Sequence, residues 1–192
     1  KDFFFFFLKK GPLLGLMLLC AALTLLSDRK LTFNIFLNVT RQVSINAIIS
    51  VGMTLIILTG GIDLSVGSIV AFCGSITAGL LASGVAILPA VIIGTAVGAC
   101  LGLINGLLVT KADIPPFIAT LGTMTAARGF TLVYTDGRPI TGMDEAFRFL
   151  GGGYIAGIPV PVVIMAIIFI TAYVVLKQTR FGRYIYAIAG NA

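Results

Sequence analysis

From Leu64 to Thr110 the chain runs 47 residues without a charged side chain. As one helix this run would be about 70 Å long at 1.5 Å per residue, more than twice the ~30 Å hydrocarbon core of a bilayer. It must therefore divide into two helices, and Ser83-Gly84 followed by Pro89 supplies the break. Just before it lies a second uncharged stretch, the 21 residues Gln42–Ile62, and only Asp63 separates the two. Stretches of this length suit spanning helices; barrel strands would instead alternate over about 10 residues.

Composition closes off a water-soluble alternative. Of the 192 residues 58% are hydrophobic and 10% charged, against about 25% charged in a soluble domain. The expected fold is all-α, a polytopic membrane helical bundle. Six spans are expected, near 11–27, 43–60, 64–82, 86–110, 116–135 and 158–176, within a single transmembrane domain over 1–192. Ile114-Pro115-Pro116 opens the fifth, since proline fits the first helical turn. Residues 136–157 are expected to form a surface loop.

The formal charge is +6, with 13 Lys and Arg against 7 Asp and Glu. The basic residues gather just outside apolar stretches, so they orient the chain in a membrane and imply no nucleic acid. With the N-terminus in the cytoplasm, Lys1, Lys9, Lys10, Lys111, Lys177, Arg180 and Arg183 lie inside and Arg29, Lys30, Arg41, Arg138 and Arg148 outside. The compact Lys177–Arg183 cluster sharpens this orientation. Lys9-Lys10 before the apolar run Pro12–Leu26 reads as a first membrane helix, because no small-x-small cleavage site follows it.

Several chemistries lack their residues. There is no histidine, and Cys20, Cys73 and Cys100 sit in separate apolar stretches, so no metal site or disulfide scaffold is expected. No lysine follows a glycine, which excludes a phosphate-binding G-x-x-x-x-G-K-[ST] loop; no G-x-S-x-G elbow occurs either. The chain is expected to be no enzyme and to hold no cofactor.

What remains are small residues and two isolated charges. Gly67, Ala71, Ser75 and Gly79 recur every four residues in the third span, and Gly94, Gly98, Gly102 and Gly106 do so in the fourth. Lipid offers no hydrophobic gain for helix association, so close contact through small residues does that job. The ladders read either as ordinary bundle packing or as the lining of a substrate path. Arg128 falls about 4 Å from the middle of the fifth span, where an arginine costs roughly 2.5–3.5 kcal/mol on insertion scales. It must face protein or water, or snorkel outward. Asp63 follows a Gly-Gly pair that ends a helix well; Asp63 or Ser65 can then cap the next helix at its positive end. A broken-helix ligand site would use the same residues.

The stretch NAIISVGMTLIILTGGIDLSVGS (Asn46–Ser68) resembles the permease subunit of bacterial ABC importers for monosaccharides of the ribose, xylose and galactose type. The likeness continues through Asn105–Ile140 and Thr179–Asn191. It implies a permease working with a second permease chain, a cytoplasmic ATP-binding subunit that alone holds ATP, and a periplasmic or lipid-anchored sugar-binding protein, in the bacterial inner membrane. In that family the chain continues past the equivalent of Asn191 into a segment that docks on the ATPase, so this chain looks like an N-terminal fragment. The rival reading is a self-contained secondary transporter, coupled to protons or sodium through Asp63 and Arg128.

Overall fold

In the computed structural model, residues 2–26 and 32–189 are described. The elements are α1 (Asp2–Leu26), α2 (Phe33–Leu58), α3 (Val66–Ala82), α4 (Ile87–Thr110), α5 (Pro116–Thr135), α6 (Glu145–Gly152), β1 (Tyr154–Ile155), β2 (Ile158–Pro159), α7 (Val160–Gln178) and α8 (Arg180–Ala189). The chain forms two units, Lys1–Gln42 and Val43–Ala192, which divide within α2.

In the first unit α1 takes in more than the expected span. It begins at Asp2, so Lys9 and Lys10 lie inside the helix. Its later turns expose Leu16, Leu18, Leu23 and Leu26, as a lipid-facing helix does. The basic pair Arg29-Lys30 lies outside the described residues. α2 starts at Phe33, ten residues before the expected 43, and carries Arg41 within it. Arginine is a good helix former, so a lone charge does not mark a helix end.

The second unit is built around α3, α4 and α5, which pack on one another. Ala90, Ala119, Ala127, Thr77 and Thr120 are buried at their contacts, and the rings of Phe72 on α3 and Phe130 on α5 meet at 6.0 Å. α3 and α4 separate where the sequence indicates, with Pro89 in the first turn of α4 and proline at the start of α5. By length and composition α2, α4 and α7 can each cross a membrane; α3 is a shorter apolar helix. α5 is 20 residues long but, with five threonines and Arg128 by its midpoint, does not join that set.

The expected loop 136–157 holds structure of its own. α6 packs against α7, and β1 pairs antiparallel with β2, Tyr154 opposite Pro159 and Ile155 opposite Ile158. The two-residue turn Ala156-Gly157 has φ of 50° and 82°, both positive as a tight hairpin matching strand twist requires. Beyond α7, Thr179 turns extended and α8 packs against α7. A Cβ on Gly182 would fall on the backbone of Leu176, so the contact depends on glycine there.

Candidate functional site

α2 ends in a closed turn. Gly60 is left-handed at φ +77°; its N–H donates to Ile57 O at 2.9 Å and that of Gly61 to Ile56 O at 3.0 Å. This pair of bonds is the glycine-terminated helix end that satisfies the last carbonyls. The chain then runs without regular secondary structure to Ser65, whose carbonyl accepts the first bond of α3 from Ile69 N at 2.9 Å.

Asp63 and Ser65 do not cap α3 as the sequence reading proposes. Ser65 stands at the N-cap position but makes no side-chain bond to the helix. Asp63 instead folds onto Ser65: its Oδ1 accepts the Ser65 N–H at 2.7 Å and the Ser65 hydroxyl at 2.6 Å. The aspartate mimics one turn of backbone. It therefore fixes the approach to α3 rather than its first turn.

From Ser65 the bonding continues into two other helices. Asn105 Nδ2, on α4, donates to Ser65 Oγ at 3.0 Å. Thr123, on α5, donates its hydroxyl to Asn105 Oδ1. Thr120 Oγ1 lies 3.4 Å from Ile62 O and donates at 2.7 Å to Pro116 O in its own helix. Thr123, Asn105 and Ser65 thus form one row of donors, each pointing toward the next and finally toward the carboxylate of Asp63. Ser65 is 0% and Asn105 6% exposed, and among the described residues no buried side-chain polar atom lacks a partner. A fully satisfied row in a low-dielectric interior is strong and specific. It ties the α2–α3 turn to α4 and α5.

Asn105, Thr120 and Thr123 are absent from the sequence reading of sites. Asn105 had a signal: it is the sole amide in the 47-residue uncharged run. The threonines had none, since a threonine in a membrane helix ordinarily bonds its own backbone. Thr77, Thr95 and Thr131 do so here.

The two ladders separate into parts. A Cβ on Gly94 would meet Thr77 and the carbonyl of Cys73, and one on Gly98 would lie 3.1 Å from Cys73 Sγ. Gly102 and Gly106 have nothing of this chain within 4 Å, so within it the close contacts of the α4 stripe are those of Gly94 and Gly98. On α3 a Cβ at Gly79 would meet Tyr134 of α5, whereas Gly67 has nothing near, Ala71 is exposed and Ser75 bonds its own helix. A four-residue step drifts about 40° around a 3.6-residue helix, so successive rungs turn away from any one neighbour.

An apolar groove of about 620 Å³ runs along α3 and α4, lined by Ile69, Val70, Thr77, Val91 and Thr95, with Phe147 and Leu150 of α6 at its side. Its two threonine hydroxyls already donate to Cys73 O and Val91 O. Such a lining leaves a polyhydroxylated solute little to bond. Arg128 is exposed on α5 and pairs with no acid among the described residues; the structure does not bring it together with Asp63.

Spanning helices held by one buried polar row define a multi-pass α-helical membrane protein. The family described as "Branched-chain amino acid transport system / permease component" matches residues 35–192, and the chain belongs to it. It is 52% identical over 185 residues to the ribose import permease protein RbsC of Bacillus subtilis, covering 95% of this chain and 58% of that protein. To the ribose import permease protein RbsC of Haemophilus influenzae it is 45% identical, over 97% of this chain and 59% of the relative. To the D-allose transport system permease protein AlsC of Escherichia coli it is 39% identical, over 99% and 59%. The chain thus spans 58–59% of the length of these curated relatives. No solved structure matches it.

Proposed function

We propose that this chain forms part of the membrane subunit of an ATP-binding-cassette importer that carries a monosaccharide, ribose first among candidates, across the bacterial inner membrane. The observation that carries the reading is the 52% identity, over 95% of the chain, to a protein named as a ribose import permease. The subunit does no chemistry and holds no cofactor. ATP is bound and hydrolysed by a separate cytoplasmic subunit, and a sugar-binding protein delivers the solute to a path formed with a second permease chain. Transport is alternating access, in which the partner's nucleotide state biases two conformations. The row from Thr123 to Asp63 suits that work, because it lets α3, α4 and α5 move as one body with the α2–α3 turn.

The test is uptake of labelled ribose by cells lacking their own ribose permease and supplied with the full-length protein. Uptake should appear with the ATPase present and vanish without it. Uptake that survives loss of the ATPase would establish the ion-coupled rival. Because the family description names branched-chain amino acids, labelled leucine belongs in the same assay, and its transport in place of ribose would overturn the sugar assignment.

A further inference from the structure

The second unit holds two groups of packed elements. In one, α4 and α5 both lie against α3. The row from Thr123 through Asn105 and Ser65 to Asp63 runs through this group, and Thr120 of α5 reaches Ile62 O in the α2–α3 turn. Further along α3 the backbones close up. A Cβ on Gly94 would lie 3.4 Å from Thr77 Cβ, one on Gly98 3.1 Å from Cys73 Sγ, and one on Gly79 would meet the Tyr134 ring. In the other group α6, β2 and α8 lie against α7, and β1 pairs with β2. Residues 136–144 join the two groups without helix or strand; Asp136, Gly137 and Gly142 there have φ of 51°, 66° and 86°. Among the described residues the backbone bonds of this linker lie at its ends. The Gly137 N–H donates to Leu132 O at 3.0 Å to close α5, and the Phe147 N–H to Asp144 O at 3.1 Å to open α6.

The two connections differ in what a movement would cost. Parting α4 from the α2–α3 turn would leave the buried Asn105 amide without the Ser65 oxygen it donates to. A buried donor left unmade costs more than the bond itself returns. Sliding α4 along α3 would drive the Thr77 and Cys73 side chains against the α4 backbone at Gly94 and Gly98. Packed contacts of this kind hold discrete arrangements and do not deform by degrees. At 136–144 a change of angle asks only for rotation of backbone dihedrals, which a few loop residues absorb and glycine most freely. We propose that the α2–α3 turn, α3, α4 and α5 keep one internal arrangement through the whole transport cycle, and that α6 to α8 turn against them about residues 136–144. The inference rests on the importer reading for the cycle itself.

Cross-links test both halves in the full-length permease assembled with its ATPase. With every native cysteine except Cys73 replaced, Gly98→Cys sets its Cβ 3.1 Å from Cys73 Sγ, so oxidation should join α3 to α4. Where Gly98→Cys does not fold, Thr77→Cys with Gly94→Cys, Cys73 also replaced, makes the same lock. Its Cβ atoms lie 3.4 Å apart, close to the lower end of the disulfide range of about 3.5–4.5 Å. Ribose uptake by the oxidised assembly should match that of the reduced one. The second lock ties Thr95→Cys on α4 to Leu150→Cys on α6, which line one groove, through a short bis-methanethiosulfonate, again with Cys73 replaced. That link should abolish uptake, and dithiothreitol should restore it. Uptake lost on oxidation of the α3–α4 pair and regained on reduction would overturn the rigid block. So would failure of both α3–α4 pairs to form a disulfide in the folded assembly. Uptake that survives the Thr95→Cys to Leu150→Cys link would overturn the turning of α6 to α8. No uptake by the unsubstituted protein would overturn the importer reading, and with it the cycle; loss confined to an oxidised α3–α4 pair falls on the block alone.

Discussion

Replacing Asn105 by leucine removes the centre of the polar row with little change of volume. Two interhelical bonds are lost, one to Ser65 and one from Thr123. Hydrogen bonds between membrane helices average about 0.6 kcal/mol and reach about 1.7, so two place the loss at about 1.2–3.4 kcal/mol. The lower half of that range is favoured, because the Thr123 hydroxyl can turn to Ala119 O, 3.2 Å away, and Ser65 keeps its bond to Asp63. Equilibrium unfolding by steric trapping in bicelles would measure it. A double-mutant cycle with Thr123→Val should show coupling near the single-bond value, since each substitution removes the same bond. If Asn105→Leu is as stable as the native protein and its effect adds independently to that of Thr123→Val, the row holds nothing together.

Three further outcomes follow from the same geometry. Gly94→Leu should impair folding by forcing α4 away from Thr77 and Cys73, while Gly102→Leu should leave stability of the isolated chain unchanged; equal effects in a folding assay would refute the split ladder. Asp63→Asn keeps an acceptor for both Ser65 donors and should cost less than about 1 kcal/mol, whereas Asp63→Ala leaves the buried Ser65 N–H unpaired and should cost about 1–3 kcal/mol. Equal losses on thermal unfolding would mean that the charge, not the turn, is what counts. Reporter fusions at Thr141 and Ala192 should report opposite sides of the membrane, and the same side for both would remove the six-span topology.

The spans were legible because their ends are written locally. Gly60, the Ser83-Gly84 pair and Pro115-Pro116 each act within a few residues, and each stands where a helix ends or begins. The start of α2 was not, because Arg41 suits a helix interior as well as a boundary. α6 was hidden by its length of 8 residues, too short for a periodic pattern to declare itself. The site was half legible. Asp63 and Ser65 drew notice as a lone charge and a capping residue, but their partners Asn105 and Thr123 come from helices 40 and more residues along the chain. Nothing in a one-dimensional pattern pairs them. The ladders were legible as repeats over four rungs, but not which rungs meet a neighbour within this chain, Gly79 on α3 and Gly94 and Gly98 on α4.

The contact of α8 at Gly182, at one end of α7, has a partner at the other, where the Ala156-Gly157 hairpin holds Pro159 fully buried. Between these stops α7 has 19 residues, about 28 Å of helix and close to the thickness of a hydrocarbon core. A free helix meets a thicker or thinner bilayer by tilting or sliding. One stopped at both ends has a set length, so α7 serves as a gauge, and a change of lipid thickness reaches this protein as load on its hairpin and its α8 elbow.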